Sequence, residues 1–325
     1  MKAVEVHAPG KLFVIGEYAV LHGGRALVAA VNAGICCRAE PASAWRLCAP
    51  DLGVDAAVDE ITAGSPGSLL ASAIVAARDE LGVARPMSFH VSGSQPVSRG
   101  KHGLGGSAAS VVAILGAAAA ANGVEIEAPQ ERVRLFSVGF AVHRSHQRGR
   151  GSGADVAASV YGGWVDYALA EGGSRIAPAR LPRALQIAAA WSGTASDTLR
   201  AIEQFETKAA LGRLRAVLDR FWRAVEVGDE PAMLREIDAY GTALEELAGA
   251  GAGARRIAAL VGAARALGFA AKGSGAVGGD CAIAVAFAPA DFAPLEAGWR
   301  AARAEPLPVA IDGRGVGLRE DDARA

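Results

Sequence analysis

The sequence predicts a mixed helix-and-strand protein built as two units, and three observations predict it. The first forty residues alternate apolar runs with Pro-Gly and Gly-Gly turns, the pattern of short strands. A glycine-rich turn at 103–106 opens a run of small apolar residues that reads as a buried helix. A stretch at 171–182, with Gly-Gly, two prolines and mixed charge, breaks the pattern and sets a boundary between a unit 1–180 and a unit 181–325. At 325 residues the chain is long enough for one large domain or two medium ones with full cores.

Composition narrows the function. Hydrophobic residues make up 51% and charged ones 21%, which excludes a disordered chain. A formal net charge of -1 leaves no broad basic surface for nucleic acid. The four cysteines include no CxxC pair, and Cys36 and Cys37 are adjacent, so a reduced cytoplasm is expected rather than a disulfide framework or a cysteine-ligated zinc site. Glu5, His7, Pro9 and Lys11 interrupt any apolar leader, so no secretory signal is expected. The uncharged stretch 103–124 is mostly Ala, Gly and Ser; it is expected to be a buried helix and not a membrane span.

Taken in order, residues 4–8 alternate as a strand, Pro9-Gly10 is expected to turn, and Lys11 opens a second strand over 11–15. Leu21-His22-Gly23-Gly24 is a turn, residues 26–31 are apolar again, and 35–58 reads as short strands around turns. Helical spacing covers 68–81, with Leu69, Leu70, Ile74 and Leu81 on one side. A strand at 87–91 and a loop at 92–102 lead into Gly103-Leu104-Gly105-Gly106-Ser107-Ala108-Ala109-Ser110. The glycines allow backbone angles other residues resist, Ser107 suits the first helical turn, and Asn122-Gly123 suits the end. Free amides at such a helix start attract phosphate. The stretch lacks the closing Gly-Lys-Ser/Thr of a P-loop and the glycine spacing of a dinucleotide-binding fingerprint.

A helix is predicted over 130–143, then a basic, glycine-rich loop from Arg144 to Gly153, then Asp155 at the start of a small-residue helix over 156–160. Strands are predicted at 164–169 and 185–191, helices over 207–247 with a break near 228–231, and another over 254–267. A second glycine-rich loop, Lys272-Gly273-Ser274-Gly275-Ala276-Val277-Gly278-Gly279-Asp280, precedes a strand at 281–287. A helix from Pro289, a strand near 308–311 and a charged tail close the chain. Read singly, Lys11 suits a solvated lysine and Asp155 a helix-start carboxylate, and the histidines, His22, His102 and His143 among them, suit surface or structural roles.

Together, Ala8-Pro9-Gly10-Lys11, the central glycine-rich helix start, Gly151-Ser152-Gly153-Ala154-Asp155 and the late glycine-rich loop resemble the GHMP small-molecule kinases, and the resemblance runs nearly end to end. Within that family, Gly16-Glu17-Tyr18-Ala19-Val20-Leu21 and Asp280-Cys281 are similar to phosphomevalonate kinases; mevalonate kinases usually carry a histidine where Tyr18 stands, and a metal-binding glutamate in a region that here, from 132 to 154, has no acidic residue. Gly106 stands where the family usually has serine, and Val277 where it often has glycine.

The resemblance implies an α+β fold of two lobes, the first like ribosomal protein S5 domain 2 with a left-handed βαβ crossover, the second ferredoxin-like. It implies transfer of the ATP γ-phosphoryl group to 5-phosphomevalonate, in the cytoplasm, by a monomer or homodimer that binds neither nucleic acid nor membrane. Lys11 and Asp155 would be catalytic. Lys101, Gly103, Leu104, Gly105, Gly106, Ser107 and Ala108 would hold ATP, with Ser107 on Mg2+. Tyr18, His146, Arg148, Ser152, Ser196, Gly278 and Asp280 would form the substrate pocket, with Arg150 a further basic candidate. The competing readings are a mevalonate kinase, an ATP-dependent diphosphomevalonate decarboxylase and a non-catalytic ligand sensor on the same scaffold.

Overall fold

The computed structural model describes residues 2–94, 102–193, 208–248, 251–275 and 280–319. The first lobe is built on an eight-stranded sheet. Its strands are β1 (Val4–Ile15), β2 (Arg25–Pro41), β3 (Arg46–Ala49), β4 (Val54–Ala57), β5 (Met87–Gly93), β6 (Trp164–Ala170), β7 (Gly173–Pro178) and, from the far end of the chain, β12 (Gly317–Leu318). The order is β12-β1-β2-β5-β3-β4, and the seventeen-residue β2 also carries β6, which carries β7. Helices α1 (Ser68–Glu80), α2 (Gly106–Ala121), α3 (Pro129–His146) and α4 (Ala154–Tyr161) complete this lobe.

The second lobe is a four-stranded antiparallel sheet in the order β11-β8-β10-β9, from β8 (Leu185–Trp191), β9 (Ala270–Ser274), β10 (Cys281–Phe287) and β11 (Glu305–Leu307). With α5 (Lys208–Val227), α6 (Glu230–Ala248) and α7 (Ala252–Ala266) between β8 and β9, and α8 (Ala293–Ala301) between β10 and β11, this is the ferredoxin-like strand order with added helices. No described helix is long and apolar enough to cross a membrane. Cys36, Cys37, Cys48 and Cys281 are all free thiols.

Pro9-Gly10 does not turn the chain. It lies inside the single strand β1, at a register shift where the two steps from Ala8 to Gly10 face four on β2, from Ile35 to Val31. Proline offers no N–H to the ladder, and strands absorb such a residue at an irregularity of this kind. The backbones there are so close that a Cβ on Gly10 would stand 2.3 Å from the Ala33 carbonyl oxygen and 2.6 Å from that of Leu104. The stretch 171–182 is likewise not a bare linker: it contains β7, antiparallel to β6. Asp166 of β6, nearly buried, fastens this edge by accepting bonds from Arg25 and Arg175. Burial pushes its carboxyl pKa up, the two guanidiniums outweigh that push, and the net shift is downward. Residues 309–319 return to the first sheet, with Ile311 bridging Val31 and β12 pairing β1, so the predicted last strand is split between the two sheets.

The lobes share one apolar core. Leu12, Val14 and Ile15 of β1 and Leu27 and Ala29 of β2 pack with Leu214, Phe221, Met233 and Ile237 from the second lobe's helices and with Ile283 and Val285 of β10. The opposite face of the first sheet packs Val6, Ala8 and Phe89 on the small residues of α2, which is why that helix is Ala-rich: a helix touched on nearly every side has no room for large side chains. Across the lobes, buried Lys272 on β9 donates to the Glu17 carboxylate and to the Phe13 carbonyl, and Tyr240 donates to the Glu17 carbonyl.

Removing one partner of a buried ion pair leaves a stranded charge, which costs about 3–5 kcal/mol, whereas replacing both with apolar residues is close to neutral. Lys272→Met is therefore expected to lower the denaturation midpoint sharply, and Glu17→Leu/Lys272→Met to restore most of it. An unchanged midpoint in the single variant would remove the pair from the account of lobe docking.

Candidate active site

The site is assembled where β1 meets the start of α2. Gly105 adopts a left-handed conformation (φ 77°) as the residue that caps α2, which an L side chain resists. The strand and the turn are joined by the Lys11 amide, which donates to the Leu104 carbonyl at 2.7 Å. The Lys11 side chain then runs under the turn: its Cγ is 2.7 Å from where a Cβ on Gly105 would sit, and its ammonium donates to the Gly103 carbonyl at 3.0 Å. Lys11 is 8% exposed, and its ammonium also lies 5.4 Å from the Phe13 ring centroid. It is not the solvated lysine its position alone suggested.

Gly275 and Asp280, from the other lobe, meet the same turn. A Cβ on Gly103 would stand 2.4 Å from the Asp280 Cβ, and one on Gly275 would stand 3.5 Å from the Lys11 ammonium and 3.8 Å from Asp280 Oδ2. The Cys281 thiol, its pKa raised by burial, donates to the His102 carbonyl, and the His102 ring packs edge-on against Trp191 at 4.9 Å. His102 is thus structural, a pin between the turn and β8.

The fourth motif arrives through α3 and α4. The Ser107 hydroxyl lies 3.0 Å from His143 Nε2, and His143 Nδ1 lies 3.6 Å from Asp155 Oδ2. Asp155 Oδ1 accepts the Val156 amide at 2.9 Å, and Ser159 on the same helix donates to the Pro9 carbonyl at 2.7 Å, fixing α4 against the strand that bears Lys11. Among the described contacts Asp155 forms its ion contact with His143 and none with Lys11. Ser152 precedes α4: its hydroxyl accepts the Ala154 amide and its carbonyl accepts the Tyr167 hydroxyl. Burial holds the Tyr167 phenol neutral, pushing its pKa up to about 12, so it stays a donor.

Leu104 and Ala108 are buried, while Gly106 and Ser107 are exposed, so the first turn of α2 opens to solvent with its unpaired amides. Tyr18 is buried at φ 61°, before the turn Ala19–His22 and beside Glu17. Arg148 (φ 55°) and Asp280 (φ 55°) also carry positive φ; such strain persists where surrounding structure enforces it, commonly at functional sites. His146, Arg148 and Arg150 are exposed at the end of α3 and in the turn beyond, which Arg144 braces by donating to the Gly149 carbonyl at 2.8 Å. No described contact ties His146 or Arg148 to Lys11 or the 103–107 turn. Lys101, Ser196 and Gly278 lie outside the described residues.

Comparison with known proteins decides the family. The GHMP kinases N terminal domain matches residues 68–163. A phosphomevalonate kinase of Streptomyces sp. (strain CL190) is 30% identical, over 93% of this chain and 96% of its own length. The chain belongs to the GHMP kinase family. Among solved structures, a Lin0012 protein from Listeria innocua superposes with a TM-score of 0.81 at 25% identity, covering 98% of this chain and 100% of that one. The Streptococcus pneumoniae phosphomevalonate kinase in complex with phosphomevalonate and AMPPNP has the same fold, with a TM-score of 0.80 at 22% identity, covering 96% and 100%.

Of the surface and structural roles that the sequence offers for His143, the structure takes the buried one. His143 is 2% exposed and lies between two of the family motifs. Its signal was periodic: Leu135, Gly139 and His143 are the buried positions of α3, four residues apart, so the histidine continues the inward face.

The two neighbouring glycines of the turn make a paired test. A Cβ at Gly106 meets nothing within 4 Å, and its φ is not left-handed, whereas Gly105 fails on both counts. Gly106→Ala is expected to fold with unchanged or higher stability, while Gly105→Ala displaces the Lys11 stem and lowers both melting temperature and turnover. Equal behaviour of the two variants would contradict the seating of Lys11 under Gly105.

Proposed function

We propose that this GHMP kinase is a phosphomevalonate kinase, transferring the γ-phosphoryl group of ATP to 5-phosphomevalonate to give 5-diphosphomevalonate and ADP. The observation that carries the reading is the packing of Lys11 against the Gly103–Gly105 turn and Gly275, a cation seated at the amide-rich start of α2. The 30% identity to the Streptomyces phosphomevalonate kinase supports the choice of substrate, as does the cluster of exposed Arg144, Arg148 and Arg150 with no acidic residue between 132 and 154.

The chemistry follows from charge. A phosphate monoester loses its second proton at about pH 6, so the attacking oxygen is already ionised and little proton abstraction is required. The task is to bring two polyanions together, which is positioning and electrostatics. The free amides at 105–108 would hold the nucleotide phosphates, and Lys11 would move from the Gly103 carbonyl to the transferring group. Asp155 would orient the reacting groups more than act as a base. The basic turn after α3, with Ser152, would receive the anionic end of the acceptor, and Tyr18 and Asp280 would shape the mevalonyl pocket.

Magnesium fits the donor set modestly. Among the described residues no cluster of three His, Cys, Asp or Glu side chains is placed to cage a metal, which suits an ion carried mainly by phosphates and water. The exposed Ser107 hydroxyl, with Asp155 beyond His143, supplies the hard oxygen such an ion takes. When bound, the ion would neutralise phosphate charge. Four unpaired cysteines suit a reducing, cytoplasmic setting.

The test is ADP release with mevalonate, its 5-phosphate and its 5-diphosphate as alternative acceptors, with carbon dioxide measured alongside. Turnover with the 5-phosphate alone is expected, falling by about 100-fold or more in Lys11→Ala, the scale for losing a preorganised charge at a developing anion. Preference for mevalonate, or release of carbon dioxide from the 5-diphosphate, would replace this reading with a mevalonate kinase or a decarboxylase.

A further inference from the structure

We propose that His143 is a positioning residue that sets the orientation of Ser107 and Asp155 through one fixed tautomer; the inference rests on the kinase reading above. The observation is a three-residue chain across three helices. Ser107 in the first turn of α2 lies 3.0 Å from Nε2, and Asp155 in the first turn of α4 lies 3.6 Å from Nδ1, with the imidazole on the buried face of α3. The ring is 2% exposed, so water does not compete for either nitrogen.

The carboxylate determines the rest. An ionised carboxylate only accepts, and with Asp155 Oδ1 taking the Val156 amide, the charge of Oδ2 at 3.6 Å from Nδ1 favours the tautomer whose N–H faces it, without a close hydrogen bond. A neutral imidazole with its proton on Nδ1 has a bare acceptor at Nε2. The Ser107 hydroxyl must then donate to Nε2, which directs its lone pairs away from α3, toward the open first turn of α2. A serine held this way presents oxygen to a cation or to a phosphate-bound ion and cannot rotate to donate there. His143 thereby does for Ser107 what an outer partner does for a metal ligand, fixing its direction without touching the reacting atoms. It also ties α2 to α4, so the phosphate-binding turn and the Asp155 loop move as one body.

The arrangement has the same order of groups as a hydrolase triad, but its geometry serves a different end. The Asp155 contact is long for a hydrogen bond, and the Lys11 ammonium is bonded to the Gly103 carbonyl. Its use is directional.

The test reads the tautomer first, in the nucleotide-free protein. Long-range 1H–15N spectra of histidine-labelled wild type, with the His143 signals assigned by their loss in His143→Gln, are expected to show a protonated Nδ1 and an unprotonated Nε2. Protonated Nε2, whether Nδ1 is bare or also protonated, would overturn the proposal. Kinetics provide the second arm. His143→Ala is expected to lower kcat about 10- to 100-fold, the range for loss of an outer-shell partner. His143→Asn, whose amide can stand where Nδ1 stood, should recover part of kcat, while His143→Gln, whose amide can stand where Nε2 stood, should recover chiefly the KM for magnesium-nucleotide. In the His143→Ala/Ser107→Ala double variant the losses should not multiply. Wild-type kcat in His143→Ala, or fully multiplicative losses, would overturn the proposal. If wild type prefers mevalonate to its 5-phosphate, the substrate reading fails, yet the spectra and the cycle, run with mevalonate, still decide the role of His143.

Discussion

The structure depends on seating one ammonium group. Burying a lysine cation costs several kcal/mol unless polar partners replace its water. Lys11 is placed where the Gly103 carbonyl meets its ammonium and Gly275 lies beside it. That arrangement requires backbone within side-chain distance on every side, and this explains why Gly103, Gly105 and Gly275 surround it. Each would carry a Cβ into Lys11 or Asp280, or close against them, if it were any other residue. Two glycine-containing motifs far apart in the chain, at 103–105 and at 275, thus answer to a single requirement.

The shared core makes that seat reproducible. Because β1 contributes Leu12 and Val14 to a core completed by helices and strands of the second lobe, the strand that carries Lys11 is clamped from both lobes. The Lys272–Glu17 pair extends the clamp one step further, since Glu17 follows the end of β1 and Lys272 lies on the strand leading into the Gly275 loop. Buried ion pairs contribute little net stability, but a wrong docking of the lobes would strand both charges, so the pair favours one relative placement. The return of residues 309–319 to the first sheet ties the second lobe down at its other end.

Much of this was legible in the sequence. The small-residue run from 106 to 121 reads as a tightly packed helix, and Gly103, Gly105 and Asn122 marked its ends. Strands β5, β6, β8 and β10 followed from apolar runs bounded by turn residues. What was not legible shares one cause: it depends on residues far away in the chain. Pro9-Gly10 has the chemistry of a turn, and only the presence of β2 and the 103–105 turn makes it an irregularity within a strand. Lys11 looked solvated because nothing within ten residues announces Gly103 or Gly275. Glu17 and Lys272 are opposite charges 255 residues apart. His143 differs, since the spacing of Leu135, Gly139 and His143 marked its burial, though not its two partners.

On the proposed function, the transferring phosphoryl group comes to rest at the Lys11 seat. A crystal structure with a non-hydrolysable ATP analogue and 5-phosphomevalonate both bound tests it most directly. The Lys11 ammonium is expected within hydrogen-bond distance of the γ-phosphoryl or acceptor phosphate oxygens, with the 105–108 amides on the nucleotide phosphates. Both phosphates lying elsewhere, with Lys11 still bonded to the Gly103 carbonyl, would contradict it.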